Sequence, residues 1–313
     1  MAGLPDNPIP FSEFMRQSAI DYYSSRDFRK DFFTAPELDL AFGKAIASLI
    51  RELFRGQQSF DIVEAGAGSG ALARDILKEL RDFRINYKIL ENSTYLKSLQ
   101  ALSLKDFDCV SWIDKIEPFE GIFIANEFFD ALPVHVIRSG SEVYVTKDGY
   151  KYLPISKEVL DYLHNMGYNL QDAELCLACM EFLVSLANSQ KSGYVLIIDY
   201  GNLKPPSFTL RAYSSHRVFN PLESHPLDLK NTDLTADVDF LALTKIATPL
   251  GYTKVFFKNL WEFLLINSAF ESEYLRAFEA YDFERLSRLK TMLVSMGRAF
   301  KVLLLQKSLN STS

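Results

Sequence analysis

An α/β fold, Rossmann-like with a mostly parallel central sheet and an inserted helical and hairpin portion, is predicted by three features of this 313-residue chain. From Phe60 onward, short apolar runs of strand type alternate with segments of helical period. A glycine-rich turn, Glu64-Ala65-Gly66-Ala67-Gly68-Ser69-Gly70, joins the first of those runs to the first of those helices. The alternation then breaks near residue 134 and resumes with another buried run near residue 194.

Before the alternation, Ser12 is placed to cap a helix over Glu13–Tyr23. Pro36 suits a first helical turn with Thr34 or Ala35 just outside it. The helix Glu37–Phe54 carries Leu38, Ala41, Phe42, Ala45, Ile46, Leu49, Ile50 and Leu53 at the spacing of one buried stripe. Strands follow at Phe60–Val63, Tyr87–Leu90, Cys109–Ile113 and Gly121–Ala125, with helices Ala71–Phe83 and Thr94–Leu104 between them. Val134–Ile137 and Val143–Val145 read as a hairpin, and Lys157–Asn188 as a helical insertion. Tyr194–Ile198 restores the buried strand type. Gly201–Asp239 reads as a long loop, a feature that is usually functional in a compact domain. The helix Asp239–Leu250, strands Val255–Phe257 and Lys301–Leu305, and helices across Trp261–Val294 complete the chain. The expected organisation is a helical segment at 1–55, a core formed by 56–133 and 193–313, and an insertion at 134–192.

Composition excludes several classes. Hydrophobic residues at 48 % and charged residues at 24 % are globular values, so disorder is not the state of the whole chain. The formal charge of −6 and the lack of any Lys/Arg run longer than two residues argue against nucleic acid as partner. An acidic field would favour a cationic substrate such as an arginine or lysine side chain. No apolar run approaches the roughly 20 residues of a membrane span. Met1–Phe11 has three prolines and no basic residue, unlike a signal or transit peptide, so a cytoplasmic protein is expected. Three cysteines suggest no disulfide framework and a reducing compartment. Cys176 and Cys179 form one CxxC, read as helix packing rather than zinc because no second ligand pair exists; no metal is expected.

Chemistry concentrates at the carboxyl ends of the predicted strands, where open α/β sheets bind ligands. A glycine turn alone does not separate nicotinamide cofactors from S-adenosylmethionine. Three details favour the latter. Glu64 closes the strand before the first glycine, where it could accept hydrogen bonds near a cationic methionyl end. The spacing is GxGxG rather than GxGxxG. Glu91 ends the second strand, 21 residues after Gly70, where a carboxylate can accept both ribose hydroxyls; a solvated strand end is the plainer reading. Asn126, Glu127 and Asp130 follow the fourth strand, as contacts to the crevice or as caps of a local turn. Asp199 ends the fifth main strand on the same edge. Asp233 and Thr235 are either site residues or helix N-caps. His216 is either a loop hydrogen-bonder or a base.

Taken together, these segments resemble the MidA-type methyltransferases, the family of the mitochondrial complex I assembly methyltransferase and its bacterial relatives. The pieces that carry the resemblance are Phe14-Met15, Asp31–Glu37, Phe42-Gly43, the Glu64–Gly70 turn, and Glu91-Asn92-Ser93 with Gln100. They continue with Asn126–Pro133, Asp199-Tyr200-Gly201, Leu210–Tyr213 with His216, Asp233–Phe240 and Met296–Val302. Tyr22-Tyr23 and Lys30-Asp31-Phe32 are reduced forms of the family's approach to the core, and a glutamine near Asn259–Phe263 is missing. The resemblance implies S-adenosylmethionine as cofactor and, from the mitochondrial branch, arginine methylation of a respiratory complex I subunit. The expected cofactor contacts are Thr34, Glu64, Ala65, Gly66, Gly68, Gly70, Glu91, Asn92 and Asn126. The expected catalytic groups are Glu127, Asp130, Asp199 and His216. A small-molecule N- or O-methyltransferase and a cofactor-binding assembly factor without turnover remain the alternatives.

Overall fold

The computed structural model describes residues 7–25, 34–214, 217–229 and 232–309. The chain divides into two units. One comprises Phe33–Glu127, Leu186–Tyr200 and Gly251–Ser313, and the other Met1–Phe32, Phe128–Ser185 and Gly201–Leu250.

The first unit is built on seven strands: β1 (Ser59–Ala65), β2 (Arg84–Leu90), β3 (Val110–Ile113), β4 (Phe119–Asn126), β5 (Gln190–Asn202), β6 (Tyr252–Asn259) and β7 (Phe300–Lys307). Their order across the sheet is β3-β2-β1-β4-β5-β7-β6. β1 to β5 run parallel, and β7 lies antiparallel to both β5 and β6. The chain starts in the middle at β1, winds outward to β3, then returns to β4 on the other side. That reversal creates a crevice beyond the carboxyl ends of β1 and β4. The strands are apolar because they are covered: Ile62, Val63, Ile122, Phe123, Ile124, Val195, Leu196 and Ile197 are fully buried.

Gly121 and Gly193 stand side by side where β1, β4 and β5 meet. A Cβ on Gly121 would lie 1.9 Å from the Asp61 carbonyl, and one on Gly193 equally close to the Gly121 carbonyl. Only glycine permits that backbone approach. Helices Ala41–Leu53 and Ala71–Glu79 also meet closely, since a Cβ on Gly43 would fall 2.6 Å from the Asp75 Cβ. An ion cluster ties this layer to the carboxyl-terminal helices. Arg285 donates to both Asp39 oxygens and to Glu273, and Lys44 donates to Glu273. These partners hold the Glu273 carboxyl below its ordinary range against the opposing effect of burial.

The second unit contains the helix Phe11–Ser25 and two small sheets. In one, Ser141–Thr146 pairs with Ile9–Pro10, His135–Arg138 and Gly149–Leu153, and Ala173–Leu175 pairs with His135–Arg138. The other is Arg217–Phe219, Arg211–Ser214 and Asp233–Thr235. Phe11, Phe14, Met15, Val136, Val143, Val145, Leu210 and Ala212 share its core.

Several expectations are corrected. The helix expected over Glu37–Phe54 is two, Ala35–Leu38 and Ala41–Leu53, because Asp39 is extended between them and its carboxylate accepts from the Ala41 amide. The 201–239 segment is not a plain loop: it holds the three-stranded sheet and two 3₁₀ turns. Asp233 and Thr235 lie in a strand; the cap of the following helix is Asp239, which accepts from the Ala242 amide. Cys176 and Cys179 are joined as a disulfide at the start of the helix Leu177–Ser189, where unbonded helical packing was expected. The two-unit division also differs from the boundaries expected at 55, 133 and 192. Residues 201–250 fall with the insertion because Gly201 pairs with Val238 and the Arg211–Ser214 strand pairs with Asp233–Thr235.

Candidate cofactor and catalytic site

The glycine turn leaves β1 at Ala65 and enters the helix Ala71–Glu79. Gly66, Gly68 and Gly70 all take positive φ, at 65°, 54° and 79°. Side chains rarely adopt that region, so the turn exposes bare backbone. No side chain caps the helix that follows, which leaves its first amides as donors for a ligand. Ala65 is fully buried in the sheet, so its contribution to a ligand is limited to backbone.

Glu64 is buried at 2 % exposure and accepts a 2.7 Å hydrogen bond from the Tyr87 hydroxyl on β2. Burial pushes its carboxyl up to about 7, and the Tyr87 hydrogen bond opposes that only in part. Burial and the neighbouring Glu64 charge push the Tyr87 phenol well up as well. The folded chain therefore binds more protons than the unfolded one between the ordinary carboxylate range and about pH 7. Stability is lost as pH rises through that window. Glu64→Gln removes the titration. It is expected to raise the melting temperature of the ligand-free protein at pH 8, by on the order of 2–5 °C. That advantage should shrink toward zero at pH 4.5. Thermal unfolding at the two pH values checks this, and a gain of equal size at both would contradict it.

Glu91 lies at the carboxyl end of β2 and is largely buried. One oxygen accepts from the Ser93 amide at 2.8 Å and the other from Gln100 Nε2 at 3.2 Å. Burial raises its carboxyl above the ordinary range, with these donors opposing. Gln100 also donates to the Gly68 carbonyl and accepts from the Trp112 indole. Asn92 is exposed beside Glu91.

At the end of β4, Asn126 is buried and its Oδ1 has no hydrogen-bond partner among the described residues. Glu127 takes a left-handed conformation, φ 51°, which is strained for a glutamate. Hydrogen bonds on both its backbone and its side chain hold it there. Its amide donates to the Ile198 carbonyl, and its Oε1 accepts from the Asn126 amide group at 3.2 Å and from the Ala35 backbone N–H at 3.3 Å. Thr34, half-buried, is the N-cap residue of the Ala35–Leu38 helix and makes no side-chain cap bond. Asp199 is fully buried within β5, one residue beyond Ile198, which stands in register with Asn126. Its carboxylate accepts from the Tyr200 amide, and Lys301 is its register partner on β7.

The first unit thus brings together Thr34, Glu64, Ala65, the three glycines, Glu91, Asn92, Asn126, Glu127 and Asp199. Asp130 belongs to the other unit. There it is buried near Tyr23, whose hydroxyl donates to Asp233 and whose phenol is pushed up by burial, by Asp233 and by Asp130. His216 lies outside the described residues. Tyr87, which the strand pattern marks only as core, is the hydrogen-bond partner of Glu64. Its signal was available, since a tyrosine inside a buried strand needs a partner for its hydroxyl.

S-adenosylmethionine fits this arrangement. Positive-φ glycines leave room for close backbone approach, Glu91 has its carboxylate oriented by two donors, and the Asn126 carbonyl oxygen is buried without a donor. Among the described residues no cluster of His, Cys, Asp or Glu could hold a metal, and no helix is long and apolar enough to cross a membrane.

Comparisons with known proteins agree with this chemistry. The chain is 29 % identical to the mitochondrial protein arginine methyltransferase NDUFAF7 homolog of Drosophila melanogaster, over 79 % of this chain and 68 % of that protein. It is 30 % identical to the protein of the same name from Caenorhabditis elegans, over 74 % and 67 %. The crystal structure of a Burkholderia thailandensis protein bound to S-adenosyl-homocysteine superposes with a TM-score of 0.83 at 23 % identity, covering 97 % of this chain and 89 % of that one. The expectation of a cytoplasmic protein is overturned by the relatives, which are named as mitochondrial. A lack of basic residues over Met1–Phe11 does not decide location. The family model for S-adenosyl-L-methionine-dependent methyltransferases matches residues 41–257, and the chain belongs to that family, as an enzyme with S-adenosylmethionine as its cofactor.

Proposed function

We propose that the chain methylates arginine in a protein, with Glu127 as the acid that holds the guanidinium. The observation that carries this reading is the strained, anchored Glu127 at the carboxyl end of β4, next in sequence to the buried Asn126 Oδ1, which has no hydrogen-bond partner among the described residues. The names of the relatives support the substrate class.

A guanidinium is planar and stays protonated in water, so a site that uses its nitrogen as nucleophile must supply acceptors for its N–H groups. Glu127 offers a carboxylate whose Oε1 is fixed by the Ala35 and Asn126 donors, which sets the plane in which the group can accept from a guanidinium. Bound S-adenosylmethionine supplies an electrophilic methyl group on a sulfonium. The residues then act chiefly by alignment, which can contribute roughly 7–11 kcal/mol. Glu91 and the glycine turn would fix the cofactor. Glu127 would orient the nitrogen and take up the proton that the nitrogen loses, passing it on to water. Asp199 would add negative charge on the adjacent strand β5. A respiratory complex I subunit is the first acceptor to test, as the family resemblance implies.

The experiment is to incubate the purified chain with methyl-labelled S-adenosylmethionine and mitochondrial protein, hydrolyse the protein and separate the amino acids. Label in methylarginine is the expected result. Label confined to small molecules or to other amino acids would overturn the arginine reading, and no transfer at all would favour an assembly factor.

A further inference from the structure

We infer that Gln100 and Trp112 form a positioning pair for the cofactor, acting through Glu91. The inference rests on Glu91 being the ribose-binding carboxylate and deepens that reading. Gln100 is completely buried on the helix Thr94–Ser103, yet every polar atom of its amide has a partner. Nε2 donates to the Gly68 carbonyl at 3.1 Å and to Glu91 Oε2 at 3.2 Å, and Oε1 accepts from Trp112 Nε1 at 2.8 Å.

The direction of each bond matters. An indole N–H can only donate, so Trp112 fixes which end of the amide carries oxygen. Nitrogen must then face the two acceptors. Gly68 belongs to the turn and Glu91 to the end of β2, so one amide ties the two halves of the cofactor site to each other. The second Glu91 oxygen is held by the Ser93 amide, which follows from the helix that Ser93 caps. The carboxylate is thereby held by donors on its protein side, with the Asn92 backbone also bearing on it, and it is oriented by them for ribose hydroxyls. A buried network satisfied at every atom specifies one geometry, which is what orientation of a ligand needs. The sequence spacing makes it possible: Gln100 lies nine residues after Glu91, on the helix that begins at Thr94.

The test is a double-mutant cycle on binding of S-adenosylhomocysteine, measured by calorimetry. Gln100→Leu should raise Kd about tenfold in the otherwise unaltered chain. In the Glu91→Ala background the same change should raise it less than about threefold, because its target is gone. The isosteric Gln100→Glu covers the case in which the leucine variant fails to fold. It places a second carboxylate against Glu91, with Lys97 the cation that also bears on Glu91. Two adjacent carboxylates share a proton, so its binding should be weak at pH 8 and recover toward the unaltered chain at pH 6. Ligand-free Trp112→Phe reports the Trp112 emission by difference, and that emission should shift in Gln100→Glu with the melting temperature little changed. Equal losses from Gln100→Leu in both backgrounds, or no pH recovery in Gln100→Glu, would overturn the pair's role while leaving Glu91 in place. An unchanged Kd in Glu91→Ala alone would overturn both readings together.

Discussion

Gly68→Val is expected to abolish measurable cofactor binding, with Kd for S-adenosylhomocysteine raised at least about 100-fold and the fold retained. Two effects add. Gly68 sits at φ 54°, where a β-branched residue is strained by roughly 1–3 kcal/mol. The new side chain would also stand on the face of the turn that the ligand approaches, in a motif where glycine is used for that closeness. The strain falls on the half-buried turn, not on the sheet, so circular dichroism should match that of the parent while the melting transition falls by some degrees. Glu91→Ala should weaken binding by a comparable factor through a different route. It removes up to two charge-assisted hydrogen bonds to ribose, each contributing roughly 1.5–3 kcal/mol. Calorimetric titration of both variants checks the pair. Parental affinity in Gly68→Val would show that the ligand does not approach the turn.

Glu127→Gln is expected to lower kcat about 10²–10³-fold while leaving the Kd for S-adenosylhomocysteine within about threefold. The substitution is chosen for what it preserves. A glutamine carbonyl can still accept from the Ala35 amide and from Asn126, so the left-handed conformation at position 127 keeps its anchors. What is lost is the negative charge that would hold a guanidinium and favour departure of its proton. A rise in KM for the acceptor with kcat intact would assign Glu127 to uniform substrate binding. Turnover near the parental rate would remove it from the reaction.

Much of this molecule can be read in the sequence, and the limits have physical causes. β1, β4 and β5 are legible because strands buried on both faces are continuous apolar runs, β2 because its buried and exposed residues alternate, and the glycine turn because its backbone needs residues without side chains. Glu64 and Glu91 are legible from their places at strand ends. The break at Asp39 is not, since a side-chain bond to Ala41 interrupts an apolar stripe that continues in phase. The strands within 201–239 are hidden because they are three or four residues long, too short to show a period, and the pairing of Arg211–Ser214 with Asp233–Thr235 skips the segment between them. Asp233 looks like a cap, yet it receives the Tyr23 hydroxyl from a helix 210 residues earlier. Tyr87 and Trp112 read as core aromatics, and their roles depend on the atoms that their single polar groups meet. Ala35 is the least visible of all: its backbone N–H, not its side chain, reaches Glu127.

The central claim is that the turn Glu64–Gly70, Glu91 and Glu127 form one methyl-transfer site. A crystal structure of the chain with S-adenosylhomocysteine tests it most directly. The expected result is ribose hydroxyls on the Glu91 carboxylate, the methionyl portion along Gly66–Gly70, and the sulfur facing Asn126 and Glu127. A ligand bound elsewhere, or one whose sulfur points away from Glu127, would contradict it.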